Sequence, residues 1–326
     1  MSQRLSARAV EPDAAAPSGR PRAVHWAAAA CALAAVACGP GTPGKVIATT
    51  SFGAGLTQDA DFLYWRTQDA LMRVSKQGGT PETILAGRHP VAHTVFGDRI
   101  YWLDQDGANV SLHSAATSGG GEQVLISNEN AGGGIFRNLA TDGSFLYWSN
   151  EARQVRKAPL TVGSAELVVE GLDTPASSVA AIGGVLFATT AFSILRVDPA
   201  GGRFLIPDRF DIPEFVTLSN PPDSNIYWVE RGNGGRNGGV YLVSQPGGDP
   251  AVLARFEVLP GPPSSDGQHV YFATGGQDDR IRRARVSGSS DADDFASGQV
   301  GDPVVDGSDV FWIDRGGRVH KAPKSK

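Results

Sequence analysis

An aromatic motif recurs along the chain at nearly constant spacing and constrains its fold more than any other feature. An apolar residue precedes two aromatic residues in six copies: Leu63-Tyr64-Trp65, Ile100-Tyr101-Trp102, Leu146-Tyr147-Trp148, Ile226-Tyr227-Trp228, Val270-Tyr271-Phe272 and Val310-Phe311-Trp312. A degenerate copy, Leu186-Phe187-Ala188, fills the long gap between the third and fourth of these. The mean spacing of about 41 residues is typical of the four-stranded blades of a β-propeller.

Each repeat has a similar internal pattern of strands and turns. An Asp stands six residues before the end of the motif in four copies, at Asp59, Asp142, Asp266 and Asp306. Asp and Gly favour tight turns, and the segments between the turns alternate apolar and polar residues with the period of a β-strand. We therefore predict an all-β chain in which each repeat forms four antiparallel strands, named A to D from the channel outward.

The two ends of the repeat region complement each other. The last repeat ends without a strand D, whereas residues 45–50 precede the first strand A and resemble the other D strands. Pairing the two would cover two open sheet edges. We therefore predict a seven-bladed β-propeller over residues 45–326, with residues 46–49 beside the strand that contains Val319. The alternative is six blades, with the degenerate repeat as an aberrant insert.

The first 37 residues have the composition of an export signal. An Ala-rich apolar run from Ala23 to Ala37 follows two Arg residues, and it is shorter than the roughly 20 residues of a transmembrane helix. It ends in Ala35-Val36-Ala37-Cys38-Gly39, which resembles a bacterial lipoprotein signal, although Ala35 stands where that family usually has Leu. The resemblance implies a signal peptide over residues 1–37, a lipid on Cys38 and a tether over residues 38–44.

This resemblance predicts an exported lipoprotein of the periplasm or outer membrane, attached to the membrane through its lipid. The chain has only two cysteines, Cys31 and Cys38, and Cys31 lies within the apolar run of the signal. Cleavage before Cys38 would leave a single cysteine, so no disulfide can form within the mature domain. Two alternatives are an ordinary signal peptide that releases a soluble secreted protein and an uncleaved anchor.

The Tyr-Trp repeats resemble the YWTD propellers of low-density-lipoprotein receptors. They are closer still to the Gly-rich propeller repeats of bacterial exported proteins, and the resemblance covers residues 45–326. Only Asp104 and Asp314 match the last letter of YWTD, and no copy carries both the Thr and the Asp. The resemblance implies a binding scaffold with no catalytic residues to transfer. The receptor propellers have six blades, and we do not expect that blade number for this chain.

The charge of the chain argues against one class of partner. Its net charge is −5, and the segment 1–37 carries more Arg than acidic residues, so the mature chain is more acidic still. Nucleic-acid binding needs a basic face, and we expect no nucleic-acid partner. We expect a monomeric scaffold that binds an envelope protein, a glycan or a small ligand.

Candidate binding residues are concentrated at one end of the blades. The B–C and D–A connections open on the same side, here named the loop face, and binding sites on rigid scaffolds concentrate in such loops. The longest B–C connection, residues 230–237, combines Gly with Arg, whose fork-shaped donors suit a carboxylate or a sugar hydroxyl. The candidate ligand-binding residues are Glu230, Arg231, Arg236, Asp278, Arg280, Asp314, Arg315 and, near the channel, His93. The alternative for each is a solvated or structural residue.

One hairpin carries side chains suited to a hard cation. Asp104, Asp106 and Asn109 surround Gly107, and their oxygen atoms are ligands that calcium prefers. A complete calcium loop of the EF-hand type would add a bidentate Glu, which is missing here. We therefore predict a solvated hairpin tip and no cofactor, with calcium as the alternative.

Motifs for catalysis are missing from the sequence. It contains no serine-hydrolase elbow, no His-Glu-x-x-His motif and no cysteine after Cys38. The sequence therefore favours a binding module over an enzyme. The alternative is a propeller enzyme of the lyase, lactonase or glycosidase type that uses the central channel.

Overall fold

The computed structural model describes residues 44–107, 109–130, 138–206, 213–218, 225–230, 238–244, 249–256, 260–275, 279–288, 291–298 and 300–324. These residues form an all-β structure of seven four-stranded antiparallel sheets. No helix in this part of the chain is long and apolar enough to cross a membrane. The predicted signal peptide and Cys38 lie outside the described residues.

Each of the first six blades consists of four consecutive strands, ordered A to D across the sheet. Blade 1 comprises β2 (Ala54–Gln58), β3 (Phe62–Arg66), β4 (Ala70–Ser75) and β5 (Glu82–Ala86); blade 2 comprises β6 (Pro90–Phe96), β7 (Arg99–Asp106), β8 (Asn109–Ala116) and β9 (Gln123–Asn130). Blade 3 comprises β10 (Ala140–Thr141), β11 (Phe145–Asn150), β12 (Gln154–Pro159) and β13 (Glu166–Val169); blade 4 comprises β14 (Ser178–Ile182), β15 (Val185–Thr189), β16 (Ile194–Val197) and β17 (Arg203–Ile206). Blade 5 comprises β18 (Pro213–Leu218), β19 (Asn225–Glu230), β20 (Gly238–Ser244) and β21 (Ala251–Phe256); blade 6 comprises β22 (Ser264–Ser265), β23 (His269–Thr274), β24 (Arg280–Arg285) and β25 (Ala292–Ser297).

Blade 7 joins the two ends of the propeller. It comprises β26 (Val304–Val305), β27 (Asp309–Ile313) and β28 (Arg318–Pro323), with β1 (Lys45–Thr49) as its outermost strand. Val46 lies opposite His320 and Ala48 lies opposite Val319, with a register shift between them. The predicted closure by the N-terminal strand is therefore confirmed. The complete fourth blade also shows that the six-blade alternative is wrong.

The aromatic motifs form the packing between blades. Buried residues that the structure describes group into seven apolar clusters, one at each junction of neighbouring blades. Trp65, for example, is fully buried against Phe311 and Ile313 of blade 7. In blade 4 the small Ala188 takes the Trp position and is also fully buried. The motif residues thus fill the gaps between blades, as expected for large apolar side chains.

The repeated Asp residues also connect neighbouring blades. Asp306 accepts hydrogen bonds from the backbone of Ser308 and Asp309 within its own turn. The ammonium group of Lys76, in blade 1, lies 2.9 Å from the same carboxylate. Asp266 of blade 6 repeats this arrangement with Lys324 of blade 7, at 2.7 Å. A residue type that the sequence indicated only as a turn former therefore also joins blades at the face opposite the loop face.

Candidate functional site

A pocket opens on the loop face where blades 6, 7 and 1 meet. Its volume is about 370 Å³, and its lining comes from the D–A connections around residues 52–53, 261 and 300–302 and from the B–C ends at residues 274, 275, 279 and 314–315. Residues 54–56 of β2, the innermost strand of blade 1, complete the wall. Segments far apart in the chain therefore meet here, beside the innermost strands of the propeller.

Glycines allow the pocket segments to approach one another. A Cβ atom on Gly301 would lie 2.0 Å from the backbone oxygen of Ile313, and one on Gly261 would lie 2.3 Å from an oxygen of Asp302. Both distances are shorter than real Cβ contacts, so neither position accepts a side chain without displacement of its neighbour. The lack of a side chain at these two glycines is therefore what allows the segments of the pocket to lie so close together.

The predicted candidate Asp314 lines the pocket, but its oxygen atoms already have donors within blade 7. One oxygen accepts from the backbone N–H groups of Gly316 and Arg318, at 2.8 and 2.9 Å. The other accepts from Arg318 Nε at 2.7 Å and lies 2.9 Å from His320 Nε2. Burial alone would raise the pKa of Asp314, but these hydrogen bonds outweigh it and lower the pKa. Asp314 organises the turn between β27 and β28.

The predicted candidate Arg315 stands at the rim of the pocket. Its side chain is 64% exposed, and one guanidinium nitrogen lies 3.3 Å from an oxygen of Asp279, which also lines the pocket. The pair joins the B–C connections of blades 6 and 7. The Arg315 side chain is exposed, whereas the Asp279 side chain is only 14% exposed, so the guanidinium is the part of the pair that another molecule can reach.

Asp302 is the charged residue of the pocket that sequence reasoning missed. Its side chain reaches solvent, yet the surrounding protein atoms raise its pKa to about 6. No hydrogen bond or charge from the described residues opposes this shift. The signal in the sequence was its place in a D–A loop between Gly301 and Pro303, whereas most candidates came from the B–C loops. An unpaired carboxylate in a confined space attracts a donor or a cation.

His93 lies behind the pocket wall. It is buried in β6, and a Cβ atom on the pocket residue Gly55 would lie 3.4 Å from its ring. Burial, and secondly the charge of Arg66, lower the pKa of His93 to about 3. The imidazole is therefore neutral at physiological pH and shielded from solvent, packed between blades 1 and 2.

Two other predicted candidates, Glu230 and Arg280, are not among the residues that line the pocket. Glu230 ends strand β19 rather than standing in a loop, and its buried carboxylate accepts a hydrogen bond from Trp228 Nε1 at 3.3 Å. Arg280 begins β24 and forms an ion pair with Asp294 of the neighbouring strand. Arg231, Arg236 and Asp278 lie outside the described residues.

The predicted cation ligands lie at the end of one hairpin. Asp106 and Asn109 are exposed and face each other across the ends of β7 and β8. Asp104 accepts a hydrogen bond from the backbone of His89 at 3.1 Å. Among the described residues, no three His, Cys, Asp or Glu side chains lie close enough to hold a metal ion together. The solvated hairpin tip without a cofactor stays the prediction, and calcium stays its alternative.

Two further cavities can be compared with the first in their location and in the pairing of their charged residues. One of about 420 Å³ opens between blades 3 and 4 on the loop face, beside the exposed Phe192. The other, of about 450 Å³, lies on the opposite face between blades 7 and 1. Its Lys76 and Lys321 are paired with Asp306 and Asp309, at 2.9 and 3.1 Å. Lys76 and Lys321 therefore stabilise the fold through these ion pairs, whereas Asp302 has no such partner among the residues that the structure describes.

Comparisons with known proteins relate the chain to others by fold alone. No protein-family model matches the sequence, and no curated protein matches it. The structure of U3-55K is similar, with a TM-score of 0.67 and 12% identity over 87% of this chain and 100% of that one. YCF48 bound to a D1 peptide matches with a TM-score of 0.61 and 9% identity, over 88% and 98% of the two chains. A chain of the nidogen/laminin complex matches with a TM-score of 0.55 and 14% identity, over 73% and 94%. At these identities, the likeness establishes that the chain is a β-propeller.

Proposed function

We propose that the chain is an envelope-associated lipoprotein whose propeller binds a protein partner through the loop face. The pocket between blades 6, 7 and 1 is the centre of the contact, and this pocket is the observation that carries the proposal. It combines glycine backbone, an ion pair with an exposed Arg315 and, at Asp302, a carboxylate without a partner among the described residues. Function on rigid scaffolds concentrates in such loop clusters.

An exposed aromatic residue supports protein as the partner. Phe52 lines the pocket and is 73% exposed, so its ring is available to another molecule. Large aromatic and Arg side chains are enriched at protein interfaces, and Phe52 and Arg315 stand on the same pocket. Among propellers of similar fold, YCF48 is bound to a D1 peptide in its structure, and another propeller chain belongs to the nidogen/laminin complex.

Two predicted candidates follow β19 in the sequence. Arg231 and Arg236 belong to residues 231–237, which separate β19 from β20 and lie outside the described residues. Under this proposal, a partner whose footprint spans neighbouring blades contacts this connection of blade 5 as well as the pocket. A standard protein interface, with about 800 Å² on each partner, is large enough for that.

Loss of Arg from the loop face is expected to weaken partner recovery. We expect an Arg231→Ala/Arg236→Ala double variant and an Arg315→Ala variant each to recover about fivefold less partner from envelope extracts, because interface Arg residues commonly contribute more than 1 kcal/mol. Arg285→Ala is the control, since Arg285 is exposed at the opposite end of β24. Equal recovery by all four proteins would contradict binding at the loop face.

The proposal of a lipid anchor rests on the sequence around Cys38. We expect Cys38→Ser to move the protein from the membrane fraction to the soluble fraction, because each buried methylene of an acyl chain contributes about 0.8 kcal/mol to membrane binding. Cys31→Ser is the matched control, since Cys31 precedes the predicted cleavage site, and it should leave the protein in the membrane fraction. A mass spectrum of the native protein with an unmodified Cys38, or with a different first residue, would overturn this proposal.

A further inference from the structure

We infer that the pocket between blades 6, 7 and 1 binds a cationic group, either a protonated amine or a guanidinium, with the Asp302 carboxylate as its counter-ion. The inference rests on the proposed function, because it names the chemistry that the loop face recognises. The same group is presented by a Lys or Arg side chain of a protein partner and by a small free amine.

The charges around the pocket leave one carboxylate uncompensated. Asp314 uses its oxygen atoms on Arg318, Gly316 and His320. Asp279 has Arg315 as its partner. Asp302 has neither a hydrogen bond nor an ion pair within the described part of the chain, although it lines the pocket. A cation that enters therefore meets a carboxylate whose charge no described residue neutralises, and a charge-assisted hydrogen bond can form there without the loss of one seen in the structure.

The size and walls of the pocket fit a long basic side chain. A cavity of about 370 Å³ lies within the range of small-ligand sites, about 300–1,000 Å³. An ammonium group has three donors and a guanidinium has five, so both need acceptors beyond the carboxylate. Gly261, Gly275 and Gly301 line the pocket without side chains, and we assign the further acceptors to their backbone carbonyl groups. The exposed ring of Phe52 offers a face on which a cation can stack.

Titration of Asp302 gives the binding a characteristic pH dependence. Its pKa is raised to about 6 in the empty pocket, so part of the population is protonated below that pH and cannot attract a cation. The other charged groups that face the pocket are Asp279, Asp314 and Arg315. Asp314 has a lowered pKa and remains ionised at pH 5. Cation binding is therefore expected to strengthen as the pH rises from 5 to 7.5.

Calorimetric titration of the purified mature protein tests this assignment. The probes are the capped lysine and arginine methylamides, their neutral norleucine analogue and n-butylamine as the free amine. We expect the cationic probes to bind at least tenfold more tightly than norleucine at pH 7.5, and more weakly at pH 5. Asp302→Asn keeps the shape of the side chain and should weaken binding of the cationic probes at least tenfold. Asp293→Asn, at a 72% exposed side chain of the outer strand β25, should leave it within twofold.

A second variant separates loss of charge from loss of folding. Gly261→Ala retains every charge but places a methyl group where the Asp302 carboxylate now lies, so we expect weaker cation binding with an unchanged melting temperature. Binding of n-butylamine as tight as that of the capped lysine would assign the site to amines in general. A preference for the capped residues would assign it to polypeptides.

The outcome that overturns the inference differs from the one that overturns the proposed function. If norleucine binds as tightly as lysine, or if Asp302→Asn keeps full affinity for the cationic probes, the pocket is not a cation site. The proposed function survives that result as long as Arg315→Ala still loses the protein partner. If the probes bind as expected but every loop-face variant recovers all partners equally, the pocket recognises cations while the protein-binding role fails.

Discussion

A chain that begins at Ser51 is expected to be at least about 4 kcal/mol less stable than one that begins at Gly44. The missing segment contains β1, which places Ile47 and Ala48 in the apolar cluster between blades 7 and 1 and pairs with β28. Loss of a buried Ile side chain costs about 2–5 kcal/mol, and removal of the strand also opens the edge of β28. The backbone bond from Thr50 to Gly317, of 2.7 Å, is lost as well.

Urea unfolding of the two truncated chains measures this difference. The chain that begins at Gly44 is the matched control, because it keeps the contact between the backbone oxygen of Gly44 and His320, at 3.3 Å. Equal unfolding midpoints with equal slopes would show that β1 does not close the ring in solution.

Trp312→Ala is expected to cost about 3–5 kcal/mol, the range for loss of a buried aromatic side chain. Trp312 is almost fully buried among residues of blades 6 and 7, and its ring stacks on His320 with centroids 5.0 Å apart. Trp312→Phe should cost less, because most of the apolar contact remains. Phe52→Ala, at an exposed position, should change the stability by no more than about 0.5 kcal/mol. Thermal unfolding of the three variants would contradict the packing role if Trp312→Ala and Phe52→Ala behaved alike.

The parts of the fold that were predictable depend on a repeated register. Each blade needs large side chains at the same place, so the aromatic motif could be counted, and even Ala188 was placed correctly because its neighbours kept the pattern. The last repeat lacks a strand D and one additional strand precedes the first repeat, so the sequence also predicted that these two ends pair. The pairing of Ala48 with Val319 confirms this prediction. Repetition makes such features readable from one sequence.

The pocket could not be predicted because no repeat encodes it. It depends on how closely the segments around Gly53, Gly261 and Gly301 approach, and these lie far apart in the chain. Loop polarity marked Asp314 and Glu230 as candidates, but both are buried and bonded to groups of their own blades. Asp302 was missed for the opposite reason. Nothing in the sequence distinguishes it from other loop residues, and only the structure shows that it lacks a partner among the described residues.

Photocrosslinking from Phe52 tests the central claim, that the loop face is the binding face, most directly. A benzoylphenylalanine in place of Phe52 lies on the pocket, whereas one in place of Phe96, a 46% exposed residue at the end of β6, lies on the opposite face. Irradiation of cells that carry each protein should give a discrete adduct from position 52, lost in the Arg315→Ala background, and none from position 96. Adducts of equal yield from both positions, or from position 96 alone, would contradict the account.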